Sequence, residues 1–115
     1  MSKRKRKKGY VTGNKALWSM YDRLNKTYFG GNLPFPMVLK FVKMKQDGHT
    51  IYMTSGAVHV FVHKDLKGHL DEAEIVLLHE MIHVFLGFDY KGSHGMRFEA
   101  EKVRLFMAGA YDKIL

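Results

Sequence analysis

The sequence predicts an α+β domain with an N-terminal helix, a small three-stranded β-sheet, a helix carrying an H-E-x-x-H pattern and a C-terminal helix. Three observations predict it. An amphipathic helical period fills residues 15–28. Three short segments rich in β-branched and aromatic residues follow between 37 and 63, and two more helical stretches, separated by a glycine-containing loop, lie at 71–86 and 96–108. A chain of 115 residues that is 46% hydrophobic forms one domain around one modest core.

Composition narrows the chemistry. There are no cysteines, so disulfides and thiolate zinc ribbons are excluded, and a bound metal would need His, Asp or Glu ligands. No apolar run approaches the ~20 residues that span a bilayer, and no secretory signal opens the chain, so a soluble intracellular protein without a membrane role is expected: cytoplasmic in a bacterium or in the host cell of a virus, nuclear in a eukaryote. The net charge of +8 is uneven. Lys3, Arg4, Lys5, Arg6, Lys7 and Lys8 carry most of it, leaving 13 basic against 11 acidic residues in the remainder. Residues 1–14 are therefore expected to be a basic, disordered arm suited to phosphate-backbone contact with DNA or to nuclear addressing, and residues 15–115 the folded domain.

Along the chain, Gly9, Gly13 and Asn14 mark a flexible lead-in. From Lys15 the residues Leu17, Trp18, Tyr21, Leu24 and Tyr28 recur at helical spacing, with Lys15, Asp22, Arg23 and Lys26 on the other side. These aromatics belong to core packing. Gly30, Gly31 and Asn32 end the helix, and Pro34 and Pro36 keep the next segment extended. The β candidates are 37–43, 50–54 and 57–63, with Asp47 and Gly48 as a turn signal. In the last of them Val58, Val60 and Val62 alternate with His59, Phe61 and His63, which puts the valines on the core. His49 and His69 read as turn residues. Asp71 followed by Glu74 resembles an N-cap, and Gly87 a stop. Within that helix Ile75, Leu78, Ile82 and Phe85 form one buried stripe, and Val76, His79, Glu80 and His83 the neighbouring one. In the last helix Phe98, Val103, Phe106 and Met107 supply the packed face, while Arg97, Glu99, Glu101, Lys102 and Arg104 face solvent.

The pattern that carries chemistry is His79-Glu80-Met81-Ile82-His83. Residues four apart on a helix differ by only ~40° in direction, so the two imidazoles can reach one ion, and Glu80 stands beside them to take the proton of a water activated there. The bland alternative is a helix that merely bears two histidines. Against it, two histidines and a glutamate on a largely buried helix need partners to offset their desolvation. A catalytic zinc usually has three protein ligands. His94, eleven residues on in a glycine-flanked loop, is favoured as the third over Glu101. Asp89 stands behind them as a partner for a ligating imidazole.

The order of amphipathic helix, Tyr28-Phe29-Gly30-Gly31-Asn32-Leu33-Pro34, β segments, Leu77-Leu78-His79-Glu80-Met81-Ile82-His83 and His94-Gly95-Met96-Arg97-Phe98 resembles the SprT-like metallopeptidase family, which includes the Spartan protease of DNA–protein crosslinks. The two signatures are H-E-x-x-H and H-G-x-x-[FW], and the likeness runs over residues 16–105. It implies a zincin-like minimal metallopeptidase domain, Zn2+ held by His79, His83 and His94, and Glu80 as catalytic acid/base. Larger members often add a C-terminal zinc ribbon. A chain without cysteines has none, so DNA targeting would fall to the basic arm.

The resulting expectation is a zinc-dependent endopeptidase with a polypeptide substrate, in which Tyr52, Tyr90 and Arg97 are the candidates for steadying the oxyanion. Segment 57–63 is the candidate edge on which a substrate strand could add. Two rivals stand beside it: a non-enzymatic basic DNA-binding protein with a structural zinc, and a general minimal metallopeptidase without a DNA role.

Overall fold

A computed structural model describes residues 12–87 and 94–112 of the chain. Its elements are β1 (Thr12–Gly13), α1 (Lys15–Tyr28), β2 (Val38–Val42), β3 (Gly48–Tyr52), β4 (Val58–His63), a 3-10 turn (Lys64–Gly68), α2 (Leu70–Leu86) and α3 (Met96–Met107). The class is α+β, as expected. The expected three-stranded sheet gains a short fourth strand: β1 pairs parallel with β2, giving the order β1-β2-β4-β3. The basic residues Lys3, Arg4, Lys5, Arg6, Lys7 and Lys8 lie outside the described residues, as do Asp89 and Tyr90.

Gly13 and Asn14 are structured rather than flexible. The Asn14 side chain accepts a hydrogen bond from Leu17 N (3.1 Å) and caps α1, satisfying one of the helix's free donors. A Cβ on Gly13 would collide with the Leu39 carbonyl oxygen and the Trp18 ring, so only glycine lets the chain pass there. After α1, Asn25 bonds the backbone of Leu33 in both directions (3.0 and 3.1 Å), and the Tyr21 hydroxyl donates to Pro34 O (2.7 Å). Gly30 and Gly31, both at positive φ, make the turn that these bonds close.

The pairing of the strands was not legible in their order. β4 runs parallel to β2 on one side and antiparallel to β3 on the other. It is therefore an interior strand, and the expected substrate edge at 57–63 is corrected: the free edge beside α2 belongs to β3. His49, expected in a turn, lies in β3. Val58, Val60 and Val62 are buried as predicted and share one core with Leu39, with Leu17, Tyr21 and Leu24 of α1, with Leu77, Leu78, Met81 and Ile82 of α2, and with Phe98 and Leu105 of α3. All three helices thus pack on the same side of the sheet.

α2 starts one residue before the expected cap. His69 occupies the N-cap position without a side-chain bond, and Asp71 and Glu72 sit inside the first turn, where their charges complement the helix dipole. Glu74 is buried and paired with Arg23 of α1 at 2.8 Å, tying the two helices together. Of the expected stripe, Leu78 and Ile82 are fully buried and Ile75 is half-buried. Ala73, Leu77 and Met81 are fully buried, whereas Phe85 is 49% exposed. In α3 Phe98 is buried as expected, but Glu101, bonded to Arg104, and Leu105 are buried with it, while Val103, Phe106 and Met107 face solvent.

Candidate metal centre

His79 and His83 lie one turn apart on α2, and His94 stands just ahead of α3, whose first turn brings Phe98 beneath the histidines. The three rings form a triangle with centroid separations of 5.2 Å (79 to 83), 5.0 Å (79 to 94) and 5.0 Å (83 to 94). One nitrogen from each lies within 4.8 Å of the others, close enough to hold one metal ion. The Phe98 ring, 2% exposed, sits 4.8, 4.9 and 4.7 Å from His79, His83 and His94. It is the common platform on which the three imidazoles rest.

The donor chemistry fits a divalent cation. His83 Nε2 and His94 Nε2 are 3.1 Å apart, against the roughly 3.3 Å expected of two nitrogens each ~2.05 Å from a tetrahedral zinc. Burial, reinforced by His79, His94 and His49, pushes the His83 pKa down to about 4; burial and the His94 and Lys102 charges also lower that of His79. Both therefore stay neutral at pH 7, the form that binds metal. His83 Nδ1 is buried with no hydrogen-bond partner among the described residues. Glu101, the other candidate for third ligand, is engaged with Arg104.

Glu80 faces β3, and two features of that strand define where its carboxylate lies. Thr50 Oγ1 donates to Glu80 Oε1 at 2.6 Å. A Cβ on Gly48 would meet Glu80 Oε2 and Val76 Cγ1, each at 2.7 Å, so the missing side chain is the space the carboxylate uses. Only 4% of Glu80 is exposed, and burial raises its pKa to about 7 although the Thr50 bond opposes the rise. The group can thus hold or release a proton near neutral pH. Tyr52, on the same strand, donates its hydroxyl to the His83 carbonyl, and burial together with the Glu80 charge lifts its pKa to about 12. It braces the ligand-bearing turn of α2 as a neutral phenol.

The sequence brought out His79, Glu80, His83 and His94, and the fold gathers the three histidines at one point with Glu80 on the adjoining face. The part Thr50 and Gly48 play at Glu80 was not foreseen, because nothing local to 48–50 signals a contact with a residue thirty positions away. Gly48, expected in a turn with Asp47, opens strand β3 instead. Compared with protein-family models, with curated proteins and with solved structures, the chain matches none.

Proposed function

We propose that this chain is a zinc-dependent endopeptidase of the SprT-like, zincin-like kind, acting on polypeptides and, by way of its basic arm, on proteins held to DNA. The observation that carries the reading is the convergence of His79, His83 and His94 beside a buried glutamate whose pKa sits near 7. A structural zinc site normally closes with a fourth protein ligand and has no use for such a base.

The three imidazoles would hold the ion. Bound there, zinc supplies a Lewis acid that acidifies water toward neutrality and polarises a carbonyl. Glu80 takes the proton from water as it attacks the scissile carbonyl carbon, then delivers it to the leaving amine nitrogen. Thr50 keeps Oε1 in place during both transfers. The substrate is read as an extended strand on the free edge of β3. In the β3–β4 ladder, Asp47 O accepts from His63 N and Met53 N donates to Ala57 O, so by alternation Gly48, Thr50 and Tyr52 turn their own backbone groups outward.

The test is a cleavage assay with zinc-loaded protein on a polypeptide crosslinked to single-stranded DNA, with the free polypeptide alongside. Wild type is expected to cleave the crosslinked form, and Glu80→Gln to lose cleavage while retaining zinc. Undiminished turnover in Glu80→Gln would overturn the mechanism. Equal cleavage of both substrates with no response to ionic strength would remove the DNA role and leave a general peptidase.

A further inference from the structure

The helices α2 and α3 leave an apolar groove between them that the metal centre does not use. Ile75 of α2, Glu99, Lys102, Val103 and Phe106 of α3, and Tyr111 beyond it enclose about 360 Å³, inside the ~300–1,000 Å³ range typical of ligand sites. Val103 and Phe106 are 57% and 56% exposed, although a helix packed on a core would ordinarily turn such residues inward.

The groove adjoins the metal centre, one helical turn from it along both helices. Ile75 precedes His79 by one helical turn on the same side of α2. Phe98, which supports His79, precedes Lys102 by one turn on α3. Anything seated in the groove would therefore lie beside the reacting centre. The charged rim is balanced, with Lys102 Nζ 4.0 Å from Glu99 Oε1. It favours neither an anion nor a cation, but offers a donor and an acceptor to peptide groups above an apolar floor.

We infer that this groove is a substrate-binding subsite that takes large apolar side chains of an extended polypeptide, lodging them against Ile75, Val103 and Phe106 while the chain crosses the metal centre. The inference rests on the peptidase reading for its biological meaning, but binding is measurable without catalysis. The groove sets selectivity: an unfolded or locally frayed polypeptide that presents bulky apolar residues is preferred over a polar one.

The experiment uses the full-length Glu80→Gln protein, zinc-loaded, and two fluorescein-labelled decapeptides that differ only in a central Leu-Phe or Ser-Ser pair. Binding is read by anisotropy. The Leu-Phe peptide is expected to bind at least about tenfold more tightly, as loss of apolar groups from a fitted pocket implies. Adding Val103→Lys should erase that preference, whereas Met107→Ser, on the same helix but outside the groove, should leave it intact. Thermal melting and zinc content of each variant establish that fold and metal centre persist. Equal affinity for the two peptides, no binding of either, an unaffected preference in Val103→Lys, or an equal loss in Met107→Ser would each overturn the assignment. Selective binding by the groove together with no cleavage by the wild-type protein would sink the peptidase reading and leave the subsite standing.

Discussion

Helices α2 and α3 break the inside-out rule in opposite ways. α2 buries charge and hydrogen-bonding groups, with Glu74, Glu80 and His83 all below 9% exposure, whereas α3 shows Met96, Val103, Phe106 and Met107 to solvent. In α2 each inverted residue has a defined setting: Glu74 meets Arg23, Glu80 meets Thr50, and His83 meets His94. In α3 Val103 and Phe106 border a groove instead of a core, while Met96 and Met107 face open solvent. The difference separates polar groups that are buried and held by partners from apolar groups that are left accessible.

The comparison breaks most completely at the ligands. His94→Ala removes one of three nitrogen donors, and zinc affinity is expected to fall by more than about 100-fold, beyond what loss of a supporting partner costs. Titration against a chelator of known affinity measures it. Should zinc bind as before, the triangle of imidazoles is not the metal site.

Next in size is Gly48→Ala. The added methyl takes the space of the Glu80 carboxylate and presses on Val76, so Glu80 moves while the histidines stay. Cleavage is expected to fall by about 100-fold, the order that a misplacement near 1 Å can cause. Zinc content should not change. Unimpaired cleavage by Gly48→Ala would show that β3 does not fix the Glu80 carboxylate.

The pH dependence of stability, read with zinc removed by chelation, sharpens the account of Glu80. Its folded pKa of about 7 exceeds the ordinary carboxyl value of 4.5, so between those values the folded state binds more protons than the unfolded one. The Glu80 contribution therefore falls as pH rises through that window and stays unfavourable above pH 7. His83 acts oppositely: lowered to about 4 from 6.5, it adds stability as pH rises from 4 to 6.5. Comparing Glu80→Gln with wild type isolates the first effect. The variant should gain relative stability between pH 5 and pH 8 in urea unfolding, and a constant difference across that range would refute the burial of an ionisable Glu80.

The smallest effect belongs to the exposed side of α3. Met107 is 77% exposed, and Met107→Ser should alter unfolding free energy by no more than about 0.5 kcal/mol. A larger loss would mean that this face is packed after all.

Much of this site could be read from the residues, and the places where reading failed share a cause. The α2 interval, to within one residue, and its stop at Gly87 followed from local periodicity and a glycine, which the fold holds at φ 84°. Beyond Phe98, the packed face of α3 was misread because a glutamate counts as a surface residue until its partner is known; Arg104, one turn on, lets Glu101 go inward and leaves Val103 and Phe106 outside. The expected edge at 57–63 failed for a related reason. Alternating valines mark one buried face, but an interior strand with one face covered has the same alternation as an edge strand.

The sequence by itself determined the features that depend on separations of a few residues. Two imidazoles share a direction because a helix repeats every 3.6 residues, and that holds in any surroundings. The tertiary structure alone decided what depends on contacts across the chain: that β4 lies between β2 and β3, that Gly48 and Thr50 reach Glu80, and that Phe98 gathers three imidazoles on one ring. Those contacts follow from which faces bury together, a choice made by the whole core and written in no single segment.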